Sequence, residues 1–220
     1  MKISATIKKL GIEQSVKYLY KDPEKNLRTL MDWADKFSGD NYVTQRKLIR
    51  HAIEDPSDPY YGFIRHMMQN VDQEVLTTAV VNFFINENLI GWPKQEENRE
   101  KYGCNIPWTI LLDPTSACNL HCTGCWAAEY GNRLNLSYDE IDSIIEQGKE
   151  LGVYFYIYTG GEPLVRKKDL IRLCEKHDDC IFLSFTNGTL IDEKFADEML
   201  RVKNFIPAIS LEGNEADTDS

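Results

Sequence analysis

Basic residues are scarce in this 220-residue chain: 25 Lys and Arg stand against 35 Asp and Glu, a formal charge of −10. Phosphate neutralisation needs clustered Lys and Arg, so no nucleic-acid partner is expected. Long apolar runs are also missing. The densest stretch, residues 80–85, already contains Asn82 and falls far short of the roughly 20 residues that span a bilayer, so no membrane span is expected. Met1-Lys2-Ile3-Ser4-Ala5 has neither a continuous apolar core nor a small-residue cleavage site. No secretion signal is read there, and a cytoplasmic protein is expected. There is no repeat of fixed period and no low-complexity segment.

What is present suffices for a packed fold. Hydrophobic residues make up 42% and aromatics 11% of the chain, which argues against wholesale disorder. The length allows one large domain or two small ones. Residues 1–91 read as helical. Ile7, Leu10, Ile12, Val16, Leu19 and Tyr20 recur near the helical period, and Leu27, Leu30, Met31, Trp33, Ala34 and Phe37 repeat the pattern after Asp22-Pro23. Ser38-Gly39-Asp40-Asn41 breaks it, and further helices are predicted over 43–53, 60–69 and 73–88. Residues 92–106 turn charged and irregular, which predicts a linker between this all-α segment and a second region over 107–220.

In that second region the pattern alternates. Short apolar runs at 108–112, 153–158, 181–185 and 205–211 predict strands. Between them, helices are predicted over 137–151, opened by a Ser137/Glu140 capping box and stopped by Gly152, over 168–177, and from Asp192 to 202. The order βαβαβαβ predicts a parallel sheet covered by helices, with every strand's C-terminal end on one rim. All the unusual loops follow strands: Asp113-Pro114-Thr115-Ser116-Ala117 and the cysteines, then Thr159-Gly160-Gly161-Glu162-Pro163, then Thr186-Asn187-Gly188-Thr189, then Ser210-Leu211-Glu212-Gly213. Such a rim is where chemistry collects in α/β folds.

Three of the six cysteines, Cys118, Cys122 and Cys125, fall within eight residues; Cys104, Cys174 and Cys180 are scattered. In a reducing compartment such a cluster points to metal chemistry rather than disulfides. Soft thiolates select zinc, copper(I) or iron–sulfur. Structural zinc usually closes four ligands in two separated pairs, whereas one triplet stands alone here, with His121 and Cys104 as available fourth ligands. On a four-iron cluster, three cysteines leave one iron open to bind a substrate or cofactor.

Cys118-Asn119-Leu120-His121-Cys122-Thr123-Gly124-Cys125 resembles the CxxxCxxC signature of the radical S-adenosylmethionine (radical SAM) superfamily, and Gly160-Gly161-Glu162-Pro163 resembles its GGE motif. The resemblance covers residues 107–213 and implies a partial (β/α)6 TIM-like barrel of about four βα units behind an N-terminal all-α segment. It implies that Cys118, Cys122 and Cys125 hold a [4Fe–4S] cluster whose open iron is chelated by S-adenosylmethionine. One electron, from a reductant such as flavodoxin or ferredoxin, would then cleave the sulfonium bond to give a 5′-deoxyadenosyl radical that abstracts hydrogen from an unknown substrate. Gly160, Gly161, Glu162 and Pro163 are implied to meet the cofactor, with the Glu162 carboxylate available to an ammonium group. Ser210 and Glu212 resemble the ribose-contacting position, and Asn187 lies on the same rim.

Two departures from the family pattern stand out. The position before the third cysteine, often aromatic in the family, is Gly124, and Trp126 follows the cysteine instead; Trp126 is expected to shield the loop. The family core has six βα units and the residues here account for four. A truncated chain with an incomplete barrel, and self-association through it, are therefore expected. The alternatives are a non-catalytic fragment that binds a cluster without the cofactor, and a zinc-binding interaction module. His51, His66 and His177 lack ligand spacing and read as solvated or packed, and Cys174 and Cys180 as buried small hydrophobes.

Overall fold

The alternation of β-rich runs and capped helices folds as expected in a computed structural model of the chain. The structure describes residues 22–37, 43–125, 127, 130–211, 213 and 214, with Gln14 and Tyr18 as isolated positions. Apart from Gln14 and Tyr18, the helix expected over residues 7–20 lies outside these, as do the break at 38–41, Trp126 and Glu212. Two compact units divide between Thr77 and Thr78.

In the first unit, α1 (Pro23–Phe37), α2 (Val43–Glu54) and α3 (Pro59–Asn70) follow one another, and α4 (Gln73–Val80) begins. Asp58 caps α3 through Tyr60 N, with Pro59 at the first helical position where its missing N–H costs nothing. Arg50 on α2 bonds Asp32 and Asp35 on α1 as well as Glu54.

The second unit holds a four-stranded parallel sheet in the order β1-β2-β3-β4: Ile110–Thr115, Phe155–Gly160, Ile181–Thr186 and Phe205–Ile209. β1 slips register between Leu112 and Thr115 because Pro114 has no N–H for the ladder. Three helices, α6 (Tyr138–Leu151), α7 (Lys167–Lys176) and α8 (Glu193–Val202), connect the strands. The Ser137/Glu140 capping box opens α6 and Gly152, at φ 99°, closes it; Asp192 caps α8. The core lies between helices and one face of the sheet. There Phe182 stacks between Tyr156 and Tyr158 at 5.7 and 5.5 Å, with Ile141, Ile145, Leu170 and Leu173 fully buried around them. Each such side chain contributes about 1.5–3 kcal/mol. The opposite face is open: Leu111 is 56% and Phe185 46% exposed.

The expected linker is a correction. Residues 92–102 form helix α5 (Trp92–Tyr102), preceded by an 11-residue π-helical segment, Val81–Gly91, where the last predicted helix was to end. Trp92 N reaches Glu87 O five residues back, and Pro93 has no N–H to restore the ordinary ladder. The charged composition misled because the buried side of this segment is polar. Asn82 donates to Asp178 O and Cys180 O, Asn86 to Asp179 O, Gln95 to Gly152 O, and Asn98 to Leu151 O, so the helices cap the start of β2 and β3. Gly91 and Gly152 cross backbone to backbone; a Cβ on Gly91 would stand 2.3 Å from Gly152 O.

Candidate functional site

The C-terminal rim gathers three loops. The first leaves β1 at Thr115, which is fully buried. Thr115 Oγ1 donates to Asn135 Oδ1 and accepts from Ala117 N, turning the chain toward the cysteines. The second loop zips onto the first: Gly161 N donates to Thr115 O at 3.0 Å and Glu162 N to Ala117 O at 2.7 Å. A Cβ on Gly161 would stand 2.3 Å from Ala117 O and 2.6 Å from Ser116 O. The glycine is therefore required by the chain's own backbone, a reason the motif alone did not suggest.

Glu162 is 1% exposed and joins the second loop to the third. Its Oε1 accepts from Leu164 N and Thr186 Oγ1, at 2.9 and 2.7 Å, and its Oε2 from Asn187 N at 2.9 Å. The carboxylate expected to receive an ammonium group thus already holds three donors of the protein. Pro163 is buried and opens the 3-10 turn Pro163–Arg166. Asn187 is half-buried, and its side chain meets Asn119 in the cysteine loop. Ser210, exposed beyond β4, donates its N–H to Thr186 O.

Cys118 is half-buried, and Cys122 and Cys125 are exposed; all are free thiols. Leu120 N donates to Cys118 Sγ at 3.4 Å. Gly124, at φ 76°, turns the chain into Cys125, which explains why the position lacks an aromatic side chain. The three sulfurs do not converge to within 4.8 Å of one another. Donors on a single tetrahedral zinc at about 2.3 Å stand about 3.8 Å apart.

The scattered cysteines behave as expected. Cys174 and Cys180 are buried, and burial pushes both thiols well up from their ordinary value, so they stay protonated. Among the described residues one set does bring three donor atoms within 4.8 Å: Asp142, Glu146 and His177. Lys176 Nζ lies 2.6 Å from Asp142 Oδ2 and supplies the neutralising cation there. Burial lowers the Asp142 charge's comfort, but hydrogen bonds from Lys176 and His177 outweigh it and hold the carboxyl below its usual range. The set staples α6 to the end of α7.

A cleft of about 660 Å³ runs beside β1, lined by Asp113, Tyr130, Arg133, Leu134, Gly160 and Gly161 among others. Sequence reading missed it, because residues 130–136 carry no motif; their single visible cue is Asn135, which bridges to Thr115.

Residues 112–218 match the sequence pattern of the Radical SAM superfamily. The family's cofactors are a [4Fe–4S] cluster and S-adenosylmethionine. A GTP 3′,8-cyclase of Petrotoga mobilis is 34% identical over 129 residues, covering 54% of this chain and 38% of the relative. An AdoMet-dependent heme synthase of Methanosarcina barkeri is 29% identical over 119 residues, covering 52% and 34%. Streptococcus suis SuiB bound to S-adenosylmethionine is similar at 20% identity and a TM-score of 0.44, over 69% of this chain and 40% of that one. The chain spans about a third of the length of the curated relatives it matches. Among the described residues no helix is long and apolar enough to cross a membrane.

Proposed function

We propose that Cys118, Cys122 and Cys125 hold a [4Fe–4S] cluster with one iron open, and that S-adenosylmethionine binds against the rim formed by Gly160, Gly161, Pro163, Asn187 and Ser210. With both groups bound, the chemistry supplied is one-electron cleavage of the sulfonium C–S bond, giving a 5′-deoxyadenosyl radical for hydrogen abstraction from a substrate. The electron comes from a reductant of the flavodoxin or ferredoxin kind. The observation that carries this reading is the zipping of the Gly160–Glu162 loop onto the stem of the cysteine loop, through Thr115 O and Ala117 O. It sets three soft donors beside a loop whose backbone carbonyls are of the kind that accepts hydrogen bonds from an ammonium.

The residues divide the work. The thiolates bind metal, and Leu120 N tunes Cys118. Glu162 holds Thr186 and Asn187 in place, so its part is orienting the rim rather than meeting an ammonium directly. Glu212 belongs to the same proposal through the family pattern, outside the described residues. We place the chemistry in the cytoplasm, a reading supported by a cysteine cluster of the metal-binding kind. The open sheet face around Leu111 and Phe185 is the surface through which copies self-associate.

Anaerobic reconstitution with iron and sulfide tests the reading. Near four irons and four sulfides per chain are expected, and Cys118→Ala/Cys122→Ala/Cys125→Ala should hold none. Stoichiometric zinc that survives reconstitution would favour an interaction module instead.

A further inference from the structure

Asn119 stands between the first two cysteines and faces away from its own loop. Its Nδ2 donates to Thr189 Oγ1 at 2.8 Å, and its Oδ1 accepts from Asn187 Nδ2 at 3.1 Å. Thr189 Oγ1 in turn donates to Asn187 Oδ1 at 2.7 Å, closing a ring of three side chains. Asn187 N also donates to Glu162 Oε2. Among the described residues, Asn119 makes the only side-chain hydrogen bonds that carry residues 118–125 to another loop; the other bonds there, Leu120 N to Cys118 Sγ and Cys125 N to Cys122 O, are internal. The ring fixes the amide orientation, because exchanging its O and N would set donor against donor at Asn187.

We propose that Asn119 is a positioning residue, clamping the cysteine loop to the end of β3 so that what the thiols hold keeps a fixed place relative to the Gly160–Glu162 loop. The inference rests on the proposed function above. It has a chemical logic. A cluster bound by three cysteines is anchored only as firmly as their loop. A cofactor that touches both an iron and the neighbouring loops is sensitive to shifts of about 1 Å between them. An amide suits the task, because it offers a donor and an acceptor at once and adds no charge beside the cluster.

Two arms test it with Asn119→Ala, Thr189→Val and the double variant, all in the full chain. In anaerobic, metal-free protein, hydrogen exchange at amides 120–125 is read. Each single variant is expected to exchange about tenfold faster there, with β2 and β3 unchanged, and the double variant no faster than either, because all three remove one ring. In reconstituted protein, S-adenosylmethionine is titrated against the paramagnetic resonance of the reduced cluster. The half-saturating concentration should rise about tenfold in the variants at unchanged iron content. Faster exchange with an unchanged titration would reduce Asn119 to a loop-fixing residue and overturn the positioning role. Exchange equal to wild type would overturn the clamp itself. Wild type that takes up no iron overturns the proposed function instead, and the metal-free arm still reads the clamp separately.

Discussion

The two ends of the parallel sheet are built from the same chemistry and put to different use. At the start of the strands, amides and one carboxylate are sealed away from water. Glu87 and Gln95 are fully buried, and Asn82 is 2% exposed. Glu87 Oε2 accepts from Tyr154 N and Oε1 from Gln95 Nε2, while burial pushes its pKa up against those bonds. At the far rim the same residue types, Asn119, Asn187 and Glu162, tie loops together, yet two of the three clustered thiols, those of Cys122 and Cys125, are exposed. Sealed polar groups resist loss of any partner, because each orphaned donor costs the full desolvation penalty. An open rim leaves donors available for a ligand. The contrast repeats a rule of parallel α/β folds: the strand starts carry stability and the strand ends carry chemistry.

Substitutions at the two ends should therefore separate stability from metal binding. The largest stability effect is expected at the base. Glu87→Ala opens a cavity and strands Tyr154 N and Gln95, a loss of about 3 kcal/mol in denaturant unfolding, with iron content per folded chain unchanged. A parallel fall in iron per folded chain would break the separation. At the rim, Gly161→Ala drives a Cβ into Ala117 O. Iron retention is expected to fall severalfold while stability drops by only about 1–2 kcal/mol. An undisturbed iron content would show that the two loops move apart freely.

A smaller effect tests the staple on the helix side. His177 is fully buried, and burial holds it below its ordinary 6.5 despite its bond to Asp142. The unfolded chain then takes up the proton first. The contribution of His177 to stability is intact above pH 6.5 and is lost as pH falls through that value toward the folded one. His177→Gln should flatten the stability profile below pH 6.5. An unchanged slope in urea unfolding at pH 5 to 7 would show that other groups set it.

Much of the second unit was legible because its signals are local. The Ser137/Glu140 box, Asp192 and Gly152 cap the helices they were read to cap. The rim loops lay where strand ends predicted, since one topology rule fixes them all. What stayed hidden depends on partners distant in sequence. Residues 92–102 looked like a linker because Gln95 and Asn98 bury amides rather than methyl groups, and hydropathy does not register an amide paired with a carbonyl more than fifty residues away. The donors that Glu162 holds, Thr186 and Asn187, were hidden for the same reason: they are visible only once β2 and β3 pair.

The most direct test of the account is the paramagnetic resonance spectrum of the anaerobically reconstituted, dithionite-reduced protein, recorded with and without S-adenosylmethionine. A cluster with an open iron at Cys118, Cys122 and Cys125 predicts a spectrum that changes when the cofactor is added and a signal that vanishes in the triple Cys→Ala variant. A cluster spectrum indifferent to the cofactor, or no iron signal at all, would contradict it.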